Sequence, residues 1–288
     1  MLFSSKQSSP IPGPLALLRE ATELYRQQFG RLIALLLVAI FAVVIGVFIA
    51  LGILAFFSVL ATSTSSALQS IGIVLSIALE LVALLGLAVM QMWASLSVVV
   101  ALNEGGSTLS IRETYRKARR FILPYFWVSV LSGLLTFGGI ILLIIPGVIL
   151  LLWFVFVLYI VVAENERGVN VLLASRNYVH GHWWAVAWRM LFLVLISIVF
   201  TIPASIVTTV FNQPGLAQAI NFTLELLLTP LLLAYTFVLY RHLRSFASAP
   251  VPEEDERWRR IFVIGGTVMA FIAIILLATI LTFGISAL

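Results

Sequence analysis

The stretch LIALLLVAIFAVVIGVFIALGILAFFSVL, residues 32–60, contains no charged side chain and a single hydroxyl, that of Ser58. At about 1.5 Å per residue, a helix of this length exceeds the roughly 30 Å hydrocarbon core of a bilayer. In hydrocarbon the backbone must satisfy its own N–H and C=O groups, and a helix does so within the segment, whereas β-barrel strands would be about 10 residues of alternating polarity. Leu32–Leu60 is therefore expected to be a transmembrane helix.

Six further runs of similar character follow. They cover Ala67–Leu102, Tyr125–Ile145, Val148–Ala163, Ala185–Val210, Leu216–Tyr240 and Ile261–Ile285. The third and fourth are separated by Ile145-Pro146-Gly147, where Pro-Gly signals a turn. This pair reads as two spans or as one kinked, re-entrant hairpin. Charged residues at Arg120 and Glu164 flank it on both sides.

Composition agrees with the runs. Of 288 residues, 62% are hydrophobic and 10% charged, and mean hydropathy is +1.14. Soluble domains carry about 25% charged residues. A compact soluble fold could not hide this much apolar surface, so the solvent is lipid. A soluble enzyme, a nucleic-acid-binding domain and a disordered linker are set aside. There is no cysteine, hence no disulfide framework or thiolate site.

Basic residues orient the spans. Lys6, Arg19, Arg26 and Arg31 precede the first; Arg112, Arg116, Lys117, Arg119 and Arg120 lie between the second and third. Arg167, Arg176 and Arg189 lie between or beside the fourth and fifth, and Arg241, Arg244, Arg257, Arg259 and Arg260 between the sixth and seventh. These are all 17 Lys and Arg of the chain, and the alternate connections carry none. The positive-inside rule places the N-terminus in the cytoplasm and the C-terminus outside a prokaryotic plasma membrane.

The basic segments are amphipathic. Leu15–Phe29 sets Leu15, Leu18, Tyr25 and Phe29 against Arg19, Glu20, Glu23 and Arg26. Ser107–Ile122 sets Ile111, Tyr115, Ala118 and Ile122 against Arg112, Glu113, Arg116 and Arg120, and Val169–His182 repeats the pattern more weakly. Each has the helical period and would lie in the membrane interface. The expected architecture is an all-α polytopic bundle of about seven spans: three units of interfacial helix plus hairpin over 14–246, and one added C-terminal span. Residues 1–13 form a cytoplasmic tail, 247–260 a solvated linker, and 261–288 the added helix, a possible route to a membrane-protein partner.

The order Ile145-Pro146-Gly147, Glu164, Leu173, Ser175, Gly181 and Trp183-Trp184 resembles the membrane domain associated with glycerophosphodiester phosphodiesterases and its stand-alone relatives. The resemblance covers roughly Pro14 to Arg244. It implies a membrane module and lends no catalytic residue, because the phosphodiesterase domain of the fused members is absent.

Candidates for chemistry are few. His180 and His182 lack the partners a metal site needs and read as part of a polar-aromatic belt with Trp183 and Trp184; His242 reads as a head-group-facing residue. Gly138-Gly139 and Gly265-Gly266 suit close helix packing or bending. Two carboxylates fall inside spans: Glu80, on a face with Ser76, Ala83, Gln91 and Ser95, and Glu225, on a face with Asn221, Thr229 and Thr236. Intramembrane carboxylates are costly and usually face protein or water, so Glu80 and Glu225 are expected to point into the bundle. Arg112, Arg116, Lys117, Arg119 and Arg120 are the candidates for anionic head-group contact. The sequence therefore points to a non-enzymatic scaffold, assembly subunit or lipid-organising module without cofactor or nucleic-acid partner. A small-solute or ion transporter or channel using Glu80 and Glu225 is the alternative, and a lipid enzyme stands behind both.

The charge partition has a direct check. Reporters fused after Ser63 and Leu288 should both read external, and one after Ala249 cytoplasmic. A cytoplasmic C-terminus would remove the seventh span or the third–fourth hairpin.

Overall fold

The computed structural model describes residues 11–62, 66–105, 109–211, 213–246 and 252–286. Among them there is no strand, and the helices are α1 (Pro14–Ala61), α2 (Ser66–Asn103), α3 (Ile111–Leu142), α4 (Ile144–Trp153), α5 (Val157–Ala163), α6 (Val169–Val179), α7 (Trp183–Phe211), α8 (Pro214–Phe246) and α9 (Pro252–Ser286). Seven segments are long and apolar enough to cross a membrane, with α4 and α5 together forming the fourth over Ile144–Ala163. Large apolar side chains on these helices stay exposed, among them Phe48, Leu142, Trp184 and Phe271. An exposed apolar surface of this extent is what lipid solvates. The chain is an all-α, multi-pass membrane protein.

Three details differ from the sequence expectation. The first two amphipathic stretches are not separate interfacial helices. They are the N-terminal turns of α1 and α3, each continuous with the span that follows. Pro124 inside α3 does not stop it. Only α6 stands apart, held off by Gly168 (φ +60°) before it and Gly181 (φ +80°) after it. Second, Pro146-Gly147 is not the turn of the third–fourth hairpin. The chain reverses at Leu143, in extended conformation, and Pro146 lies in the first turn of α4, where a missing N–H loses no helical bond. Third, Pro252–Arg260 belong to α9 instead of a solvated linker. The tail through Pro10 and residues 247–251 of the expected linker lie outside the described residues.

The chain divides into two compact units, Gln27–Ile122 and the remainder, Met1–Arg26 with Leu123–Leu288. In the Gln27–Ile122 unit the buried residues gather at the basic end: Leu32 and Leu35 on α1, Leu96 and Val98–Leu102 on α2, and Thr114, Ala118 and Phe121 on α3. In the larger unit α5 is buried from Val157 to Val162, and α8 from Ala234 to Tyr240. There α6 touches α4, α5, α8 and α9.

The fourth span is broken over Phe154–Phe156, and α6 repairs the break. Ser175 Oγ donates to the Trp153 carbonyl at 2.5 Å and accepts from the Phe156 N–H at 3.3 Å. Both are helix-end groups that would otherwise lack a partner in a buried setting. The adjacent Arg176, only 3% exposed, lies between the rings of Trp153 (5.3 Å) and Trp258 (4.3 Å), which ties α4 and the start of α9 to α6. Arg189, also buried, donates to the carbonyls of Ile11, Pro12 and Ala185 and so fastens the chain entering α1 onto α7.

Glycines set the close approaches, as their positions in apolar runs suggest. A Cβ on Gly138 or Gly266 would meet Met269 or Leu131, so α3 and α9 pack through them. A Cβ on Gly147 would stand 2.7 Å from the backbone N and 2.8 Å from the Cα of Ile140. Backbone cannot yield as a side chain can. Gly147→Val should therefore destabilise the α3–α4 hairpin by about 1–3 kcal/mol, read as a lowered thermal midpoint in detergent. Gly133→Val, which meets open space, should leave the midpoint nearly unchanged.

Candidate functional site

The N-terminus of α3 is capped reciprocally. Ser110 Oγ accepts from the Glu113 N–H at 3.3 Å, while the Glu113 carboxylate accepts from the Ser110 N–H and hydroxyl, both at 2.9 Å. This is a capping box. It fixes the first turn of α3 and occupies the one carboxylate of that turn. Arg112, Arg116 and Arg119 then recur along one side of the helix and are exposed. Among the described residues no carboxylate stands within ion-pair distance of any of the three.

The three arginines line a groove of about 620 Å³ within the Gln27–Ile122 unit. Ile111 and Tyr115 lie beside them on α3; Val38, Ala39 and Ala42 of α1 and Met90 and Trp93 of α2 complete the walls. One part of the groove is therefore cationic and the other apolar. An aromatic pair holds the walls in place. Trp93 Nε1 donates to the Tyr115 carbonyl at 3.0 Å, the two rings meet edge to face at 5.3 Å, and the Tyr115 hydroxyl donates to the Leu35 carbonyl at 2.6 Å. Arg31 adds a bond to Thr114 Oγ1 at 2.8 Å.

The structure thus divides the five basic candidates. Arg112, Arg116 and Arg119 converge on the groove. Lys117 instead forms an ion pair with Glu104, and Arg120 lies over the Phe121 ring at 4.6 Å. Trp93 and the α1 residues were not visible as site residues from spacing, because they lie on other helices. Tyr115 could be found only as part of the apolar face of the amphipathic stretch. Planar guanidiniums present forked donors suited to phosphate oxygens, and the apolar wall suits a hydrocarbon chain.

The intramembrane candidates fare differently. Glu80, Gln91, Asn221 and Glu225 are all exposed; Glu80 lines a groove between α1 and α2, whereas Glu225 does not turn into the bundle. Neither carboxylate has a hydrogen-bond or ion-pair partner among the described residues. α2 and α8 are apolar nearly all round, so periodicity does not choose their buried face. Packing at their basic ends does. His242 Nε2 lies 2.9 Å from Glu20 of α1, in an exposed contact.

A second polar cluster lies in the larger unit. The Glu164 carboxylate, at the end of α5, accepts from the Tyr178 hydroxyl of α6 at 2.9 and 3.0 Å and from the Tyr240 hydroxyl of α8. Arg244 Nε lies 3.6 Å away. Burial raises the Tyr178 phenol pKa above its usual value, and the carboxylate it donates to raises it further, so the phenol remains a neutral donor. Every oxygen of the carboxylate is engaged, and the cluster fastens α5, α6 and α8 together. It accounts for Glu164 as a structural residue, much as Ser175 and Gly147 are accounted for above. Comparison of the chain with family models, with curated proteins and with solved structures finds no match.

Removing the carboxylate leaves two hydroxyls without their acceptor. Glu164→Ala should lower stability by about 1–3 kcal/mol and Tyr178→Phe by about 1 kcal/mol. Both are measured by thermal unfolding in detergent, with Glu225→Gln as a variant that should change little.

Proposed function

We propose that this chain is a non-enzymatic integral membrane protein that holds anionic lipid at its basic end and serves as a scaffold or assembly subunit in a prokaryotic plasma membrane. The observation that carries this is the groove in which Arg112, Arg116 and Arg119 face an apolar wall. A phospholipid has that polarity: phosphate at one end, hydrocarbon at the other. The capping box supports the same reading, because it engages Glu113 and leaves the arginines without a carboxylate partner. Cations in the first turns of a helix oppose its dipole. A bound anion reverses that penalty, and each basic residue near the surface contributes about 1 kcal/mol toward anionic lipid.

In this reading the N-terminus and all the basic helix ends face the cytoplasm, the leaflet where anionic head groups attract polybasic segments. The membrane-domain resemblance is consistent with it. Pro146, Gly147, Glu164 and Ser175 serve the fold, so that motif describes a module that positions helices. Transport through Glu80 and Glu225 draws no support from two exposed carboxylates without partners.

Native mass spectrometry of the full chain, purified in mild detergent, tests the proposal. Wild type should retain anionic phospholipid. The triple variant Arg112→Ala, Arg116→Ala, Arg119→Ala should lose it by on the order of 100-fold, following the contribution of about 1 kcal/mol per basic residue. Lys117→Ala and Arg120→Ala should retain it. Equal retention by the triple variant overturns the proposal.

A further inference from the structure

The Gln27–Ile122 unit carries a second groove between α1 and α2, with a volume of about 430 Å³. Its lining is apolar except for one ionisable group, Glu80. Gly46, Ala50, Ala83 and Gly86 line it as well. The glycines here do not serve helix contact: a Cβ on Gly46 or on Gly86 would meet nothing within 4 Å. Their missing side chains leave space, and the volume falls in the range of small-molecule sites.

Glu80 sets the chemistry. A carboxylate bordering hydrocarbon is costly unless a cation or a proton neutralises it. No partner for it exists among the described residues. Glu80 lies 23 residues before the end of α2 at Asn103, about 34 Å along the helix. Every Lys and Arg of the chain falls in the segments at the basic ends of the helices. A second copy inserted the same way up therefore brings no cation to this depth. The occupant that matches an apolar groove with one carboxylate at its wall is a separate molecule, apolar in body and positive in charge.

We propose that this groove binds a hydrophobic monovalent organic cation, of ammonium or phosphonium type, with its charge at Glu80 and its apolar body in the space left by Gly46 and Gly86. The site is distinct from the arginine groove, although Met90 borders both.

The test uses full-length protein in phosphatidylcholine nanodiscs and tetraphenylphosphonium as probe, followed with a probe-selective electrode. Saturable binding near one equivalent per chain is expected. Glu80→Gln should weaken it by at least about tenfold, the scale expected when one partner of a desolvated charge pair is removed. Gly86→Leu, which fills the groove without a backbone clash, should also weaken it, and Gly46→Leu serves if Gly86→Leu does not fold. Circular dichroism confirms that each variant keeps its helices. The arginine triple variant should bind the cation as wild type does, which separates this site from the lipid groove. Absence of saturable binding, or unchanged binding in Glu80→Gln, overturns the proposal.

Discussion

A backbone that passes through hydrocarbon must find its own hydrogen-bond partners, and the larger unit depends on one side chain that supplies them where a helix fails. The fourth span breaks over Phe154–Phe156, and Ser175 takes up both the Trp153 carbonyl and the Phe156 amide. Without that hydroxyl, two polar groups would be buried unmatched. Because Ser175 lies on α6, the break can exist only where α6 docks. Arg176, between two tryptophans, and Tyr178, on Glu164, make the same short helix the contact point for α4, α5, α8 and α9. A helix of 11 residues thereby organises spans several times its combined reach.

Polar chemistry in this protein is concentrated where the helices meet their basic ends. The reason is the solvent. In the hydrocarbon zone a hydroxyl or charge finds few partners, whereas near the interface water, head groups and helix ends all offer them. Trp93, Tyr115, Arg31 and Thr114 join the three helices of the smaller unit there. Glu164, Tyr240 and Arg244 do so in the larger unit. Fixed polar ends leave the arginines of α3 on a rigid wall, which is the condition for selective recognition of a head group instead of loose electrostatic attraction.

Charge segregation and charge use are separate matters. All basic residues share one side of the expected topology, yet they perform different tasks in the structure. Arg189 binds backbone carbonyls, Arg176 stacks on indoles, and Lys117 meets Glu104. Arg112, Arg116 and Arg119 remain available. A count of positive charge identifies the face of the protein. Only the carboxylates and rings around each residue decide which charges are left for a ligand.

The sequence by itself determined the class and the number of long apolar helices. Those properties follow from local composition, since hydrocarbon excludes any other backbone geometry over 20 apolar residues. It also contained Glu164, Ser175 and Gly147 as marked positions, without saying what they touch. The tertiary structure decided what local pattern could not. It ran the first two amphipathic stretches into their spans, put the reversal at Leu143 and the break beyond Trp153, set Glu80 in a groove beside α1 and left Glu225 outside. A helix that is apolar on every side carries no information about which face it buries. That choice belongs to the side chains of distant helices, to Trp93 meeting Tyr115 and to Ser175 meeting the fourth span, and no spacing along the chain encodes those meetings.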